Sequence, residues 1–233
     1  MSTQAALRAF ALLLACSHLE GANLSGNVQV TQRLTKKRFT PLVSAYARGV
    51  PVQPAGADEV EPSLRSEYTR IAVYIENPSG AAPVPVTVSL DQKDQRFESD
   101  LMVVPVGSAV LFPNRDPIFH NVFSLSGVKS FDLGNYKRNE SRTVTFPKAG
   151  VVPVYCHLHP NMSAAIVVTP GKWGMKPAAD GNYEFAGVPA GRYRIVAWHR
   201  TAGYFRKEVE LREGQTVTLN FTIPIDRKSP PNP

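Results

Sequence analysis

The seven residues Cys156-His157-Leu158-His159-Pro160-Asn161-Met162 carry a thiol, two imidazoles and a thioether, and a further histidine lies upstream in Phe119-His120-Asn121. The C-x-x-H-x-x-M spacing plus the distant histidine offers two imidazoles, one thiolate and one weak sulfur donor. That is the donor set of a blue-copper electron-transfer site. The soft sulfurs suit Cu(I), the imidazoles suit both oxidation states, and no carboxylate ligand is needed. Zinc also binds cysteine and histidine, but structural zinc favours more thiolates and catalytic zinc rarely takes methionine. A buried cysteine alone is an inert small hydrophobe, and a lone histidine is usually structural or solvated. Neither reading accounts for four donors in this order.

The flanking residues say what must position those donors. Val152, Val154 and Cys156 share one face of an alternating strand, which aims the thiol into a core. Residues 163–168 read as the next strand, so the donors belong to a tight loop at one end of a β-sandwich. His157 alternates away from Cys156 and reads as a surface imidazole beside the site. This region, roughly residues 85–169, resembles the cupredoxins, and their plastocyanin and amicyanin branch in particular. The resemblance rests on Phe112-Pro113-Asn114, then His120-Asn121, then Cys156, His159 and Met162; the short spacing from His159 to Met162 is closer to amicyanin. It implies His120, Cys156 and His159 as equatorial ligands and Met162 as the axial ligand of one type 1 copper ion. It also implies that Asn114 and Asn121 tie the two ligand loops together by hydrogen bonds.

The chain has 233 residues and two cysteines. Residues 1–22, with Arg8 ahead of the apolar run 9–15, read as a secretory signal; a membrane span would need about 20 apolar residues. Leu13-Leu14-Ala15-Cys16 resembles a bacterial lipobox, which would lipidate Cys16 and give the only expected membrane contact. Removal of this segment leaves Cys156 with no disulfide partner, as befits a thiol already occupied. The expected compartment is the periplasm. The net charge of +7 points to an acidic redox partner or an anionic surface. Nucleic acid is not expected, since no basic platform interleaved with aromatics is visible. Arg33, Lys36, Lys37 and Arg38 form the densest basic run, explained equally by a solvated loop. Asn23, Asn139, Asn161 and Asn220 begin N-x-S/T triplets, but a bacterial-type signal argues against glycosylation.

The remaining sequence is all-β in character. Strands are expected at 25–31 and 71–76, with a long loop over 33–69 that holds at most one short helix near 60–68, and a linker over 77–85. After residue 169, strands are expected at 182–188, 192–199, 205–212 and 216–223, the first two joined by the Pro189-Ala190-Gly191 turn. The segment 180–193 resembles the carboxypeptidase-regulatory-like, or transthyretin-like, sandwiches. The expected architecture is therefore a cupredoxin Greek-key sandwich (85–169) inserted in, or joined to, a small transthyretin-like sandwich built from 23–84 and 170–225, with a disordered tail at 226–233. The last segment alone has about 55 residues, marginal for its own core, which favours the shared sandwich. His199 is expected at a surface or interface, and Trp173 and Trp198 in packing. No phosphate-binding glycine loop, serine–histidine–acid arrangement or metalloprotease helix is seen. The expected function is a one-electron carrier rather than an enzyme, the alternative being a protein that binds and delivers copper.

Overall fold

Short β-branched runs separated by proline and glycine dominate this sequence, and they form strands throughout. The computed structural model describes residues 21–34, 64–80 and 82–224. Residues 1–20 of the expected signal segment, with Cys16, the basic residues Lys36, Lys37 and Arg38, and the 226–233 tail lie outside the described residues, while Ala22 already belongs to the first strand. Among the described residues the protein is all-β apart from one helical turn.

It opens with β1 (Ala22–Val30), the turn α1 (Arg65–Tyr68) and β2 (Ile71–Ile75). Next come β3 (Thr87–Ser89), β4 (Gln92–Lys93), β5 (Arg96–Phe97), β6 (Leu101–Pro105), β7 (Ala109–Pro113) and β8 (His120–Leu125). They are followed by β9 (Ser130–Tyr136), β10 (Ser141–Thr145), β11 (Gly150–Tyr155) and β12 (Ser163–Thr169). The chain then forms β13 (Gly174–Met175), β14 (Asn182–Val188), β15 (Gly191–His199), β16 (Gly203–Leu211), β17 (Thr216–Thr218) and β18 (Phe221–Ile223).

These strands stack as two sandwiches. In one, the sheet β6-β12-β11-β8-β9 faces β10-β7-β3 across a core that includes Phe112, Val122, Val152, Val154 and Ile166. In the other, β1 lies between β14 and the successive strands β17 and β18, and faces β13-β2-β15-β16. Leu24, Val28, Ile71, Val73, Ile195 and Phe221 fill that second core.

The two sandwiches share a seam, which explains two unbroken apolar runs. Alternate side chains of a strand point to opposite faces. On β2, Ile71, Val73 and Ile75 enter the small core while Ala72 and Tyr74 enter the seam. On β12, Ala164, Ile166 and Val168 enter the other core while Ala165 and Val167 meet Ala72, Tyr74, Val196 and Trp198. A strand buried on both faces has no polar positions to alternate. At the seam's edge Arg70 and Arg200 grip Asp100 (2.7 and 3.3 Å), and Arg200 also donates to Ser163 Oγ at 2.8 Å.

Two expectations are corrected. Residues 216–223 are not one strand: β17 ends at Thr218 and β18 starts at Phe221. Leu219 and Asn220 turn aside between them, where Asn220 Oδ1 takes the Asn27 amide and Leu219 O takes the Tyr183 hydroxyl. Gly26 faces this crossing, and a Cβ there would lie 1.9 Å from Leu219 O. His199 is not at a surface: it is fully buried and hydrogen-bonded to the buried Glu67. Within the described residues the expected short helix is the turn Arg65–Tyr68; residues 60–63 lie outside them.

Candidate metal centre

Alternation along β11 places Val152, Val154 and then Cys156 on the core side, and the thiol is buried. The strand pair β11–β12 registers Tyr155 against Ser163, so the residues between form a closed loop. Inside it the Cys156 amide donates to Met162 O (3.2 Å) and the Met162 amide to His159 O (2.9 Å). Such a loop has little freedom to rearrange. Met162 is buried in the same cluster as Cys156.

His120 begins β8 opposite Tyr136, just before a bulge between Asn121 and Phe123. Bulges re-aim side chains beside functional sites. His120 is fully buried, with Nδ1 3.9 Å from Cys156 Sγ; His159 Nδ1 lies 3.6 Å from the same sulfur. The two imidazole rings are 4.7 Å apart at 56°. Sγ and one nitrogen of each ring all fall within 4.8 Å of one another. Bonds to a first-row ion of about 2.3 Å from sulfur and about 2.0 Å from nitrogen can span those separations, so the donors fit one small soft-to-borderline metal.

The nitrogen not aimed at Cys156 is also engaged. His120 Nε2 lies 2.7 Å from Asp116 Oδ2, and the carboxylate also accepts the amides of Asp94 (2.7 Å) and Gln95 (2.9 Å). Burial pushes the Asp116 carboxyl up, but the hydrogen bonds from Gln95, His120 and Asp94 outweigh it and hold it below the ordinary carboxylate range. A carboxylate accepts only, so Nε2 is the donor in this contact, and in the neutral ring Nδ1 keeps its lone pair. His159 is pushed down by burial first and by neighbouring His120 second, with Asp116 opposing. Its neutral, metal-binding form is favoured.

The other expected residues sort clearly. His157 is half exposed, stacked on Phe123 at 3.8 Å and 1°, and 3.5 Å from Asp132. Asn114 and Asn121 do not reach the 156–162 loop. Asn114 Nδ2 donates to Ile118 O and Tyr136 O, its Oδ1 accepts the Asp116 amide, and Asn121 Nδ2 donates to Asp132. The link between the His120 segment and the 156–162 loop runs instead through Asp132, which takes Asn121 at 2.6 Å and lies beside His157. Sequence reasoning passed over Asp116 and Asp132. Asp116 left one faint signal, a carboxylate four residues before His120, but Pro117 masks any regular spacing.

No family model matches the chain. Amicyanin from Paracoccus denitrificans is 31% identical over 101 residues, covering 40% of this chain and 74% of the relative. Among solved structures, a Cu(I) form of an amicyanin mutant is 28% identical, covering 41% of this chain and 97% of its own, with a TM-score of 0.34. A purple cupredoxin from Nitrosopumilus maritimus is 19% identical over 35% of this chain and 99% of its own, with a TM-score of 0.33. A copper-containing nitrite reductase from Thermus scotoductus is 24% identical over 40% of this chain and 25% of its own, with a TM-score of 0.34.

Proposed function

This chain belongs to the amicyanin family of cupredoxins, and from that premise we propose that it is an exported type 1 copper protein, a one-electron carrier rather than an enzyme. His120, Cys156, His159 and Met162 would hold the ion, the two imidazoles and the thiolate as the strong donors and the Met162 thioether as the weak one. The observation that carries this reading is the convergence of both Nδ1 atoms on Cys156 Sγ. Zinc would use the cysteine and histidines too, but the buried Met162 beside them favours copper. A bound copper ion supplies the one-electron couple. The residues hold their donors on a loop pinned at both ends, so little must move between oxidation states. Burial of Cys156 and Met162 keeps water from the sulfur side.

We place residues 85–169 as the copper module and residues 23–84 with 170–225 as the supporting sandwich. Ile118, Phe119 and Leu158 are exposed beside His120 and His159. With the half-buried His159 they form a docking face for a redox partner protein, and the +7 charge favours an acidic one. Export to the periplasm completes the reading, and membrane contact would follow only if Cys16 were lipidated. Among the described residues no helix is long and apolar enough to cross a membrane.

The test is to load copper and measure two rates on one sample. An intense blue band from thiolate-to-Cu(II) charge transfer, lost in Cys156→Ser, is expected. Copper should stay bound through repeated redox cycles, with fast self-exchange. Slow self-exchange with Cu(I) passing readily to a chelator would instead assign copper delivery. Met162→Leu should raise the reduction potential with the blue site still assembled, since losing a weak axial donor disfavours Cu(II).

A further inference from the structure

We propose that Asp116 is a positioning residue of the copper centre, fixing the tautomer of His120 and holding the reduction potential down; this rests on the copper reading above. The geometry is a carboxylate–histidine pair whose open nitrogen faces the thiol. Asp116 Oδ2 meets His120 Nε2 at 2.7 Å, within the range of a charge-assisted hydrogen bond. Both groups are buried. A histidine that gives its second N–H to a carboxylate is held in one ring orientation and is a more basic ligand.

The carboxylate is itself pre-set. Asp94 and Gln95, both in left-handed backbone geometry at the tip of the β4–β5 hairpin (φ 53° and 58°), present their amides to its two oxygens. Asn114 Oδ1 takes the Asp116 amide at 2.8 Å. The adjacent guanidinium does not neutralise it: Arg115 turns to Asp91 at 2.7 Å. Asp116 thus meets backbone and imidazole N–H groups, and its negative charge is expressed toward the ligand histidine. A fixed anion stabilises the more positive Cu(II) state over Cu(I), which lowers the potential. The hairpin therefore acts on the copper without contributing a ligand.

The test compares Asp116→Asn, which keeps size and removes charge, with Asp116→Glu, which keeps the charge. In Asp116→Asn the Cu(II) affinity should fall about 10- to 100-fold, the usual cost of losing such a partner, while Cu(I) affinity changes less. At about 59 mV per tenfold for one electron, that is a rise of about 60 to 120 mV in potential. Asp116→Glu should recover part of both. In the apo-protein, nitrogen-resolved NMR should show His120 protonated at Nε2 in the wild type. An unchanged potential in Asp116→Asn, equal losses of Cu(I) and Cu(II) affinity, or an Nδ1-protonated His120 in the wild type would overturn the proposal. A wild type that never turns blue would overturn the copper reading instead, and the apo-protein spectrum would still decide the His120–Asp116 arrangement.

Discussion

His120 and His199 are both fully buried, and each places Nε2 against a buried carboxylate: Asp116 at 2.7 Å and Glu67 at 3.0 Å. One stands in the copper-side sandwich and the other in the small sandwich. Their second nitrogens part company. His199 Nδ1 accepts the amides of Thr201 (3.2 Å) and Ala202 (3.1 Å), so the ring is saturated by its own chain. Among the described residues no backbone amide donates to His120 Nδ1; it looks at Cys156 Sγ, with His159 alongside. The same kind of histidine–carboxylate pair is therefore closed off in one sandwich and left with its second nitrogen beside a thiol in the other. What separates a ligand from a staple is whether the fold supplies a proton donor to the last lone pair.

Breaking the staple gives the largest expected effect on stability. His199→Ala takes one hydrogen-bond partner from the buried Glu67 carboxylate and leaves a cavity where the fully buried ring packed, which together cost about 3–5 kcal/mol. Urea unfolding should show that loss while the blue colour survives in the folded fraction. Bleaching of a folded His199→Ala protein would mean that the two pairs are not separate.

The same pair should make stability pH-dependent. Burial is the chief cause that holds the His199 pKa below 6.5, with Glu67 opposing. The folded state then binds fewer protons than the unfolded chain. Above the unfolded pKa this costs nothing; as pH falls below about 6.5 the unfolded state gains a proton that the folded state resists, and stability drops. His159 acts with the same sign in the apo-protein. The informative quantity is therefore the slope of apo-protein stability between about pH 7.5 and 5.5, which should be shallower in His199→Gln. An identical slope would remove His199 from the account.

A smaller effect tests the small sandwich away from its histidine. In Gly26→Ala the new Cβ meets Leu219 O and, at 2.9 Å, Tyr183 Cε1. Overpacking of this kind costs about 1–3 kcal/mol. Unfolding should register it and the copper spectrum should not. No loss would mean that the β17–β18 junction yields easily.

How much of this was legible in the sequence follows the range of the interactions. Cys156, His159 and Met162 stand on one strand, one loop and the next strand, so period and spacing suffice to expect them together, and the local motif around His120 points to a ring that the fold brings beside Cys156 and His159. The roles of Asp116 and Glu67 were not legible, because each depends on distant contacts: Asp116 on the tip of the β4–β5 hairpin, Glu67 on a histidine 132 residues away. The burial of His199 was misjudged for the same reason, since its strand shows a polar terminus only until α1 covers it. The break at Leu219 escaped a pattern that alternates cleanly through it. Apolar period says which face a residue takes, and says nothing of a neighbouring backbone that needs room.

The smallest expected effect sharpens the comparison between donor and bystander within the copper loop itself. His157 and His159 are two residues apart, and the spacing alone leaves either able to supply the second imidazole. In the fold they face different ways. His159 turns Nδ1 to Cys156 at 3.6 Å, whereas His157 lies flat on Phe123 and reaches Asp132 at 3.5 Å. The pair with Asp132 is exposed and contributes little; the ring stack is worth about 0.5–1.5 kcal/mol. His157→Ala should thus cost about that much stability, leave the blue band in place and change the potential slightly. His159→Ala in the same series should lose the band. Should His157→Ala bleach the protein while His159→Ala stays blue, the second imidazole has been assigned to the wrong residue, and the loop must rearrange when metal enters.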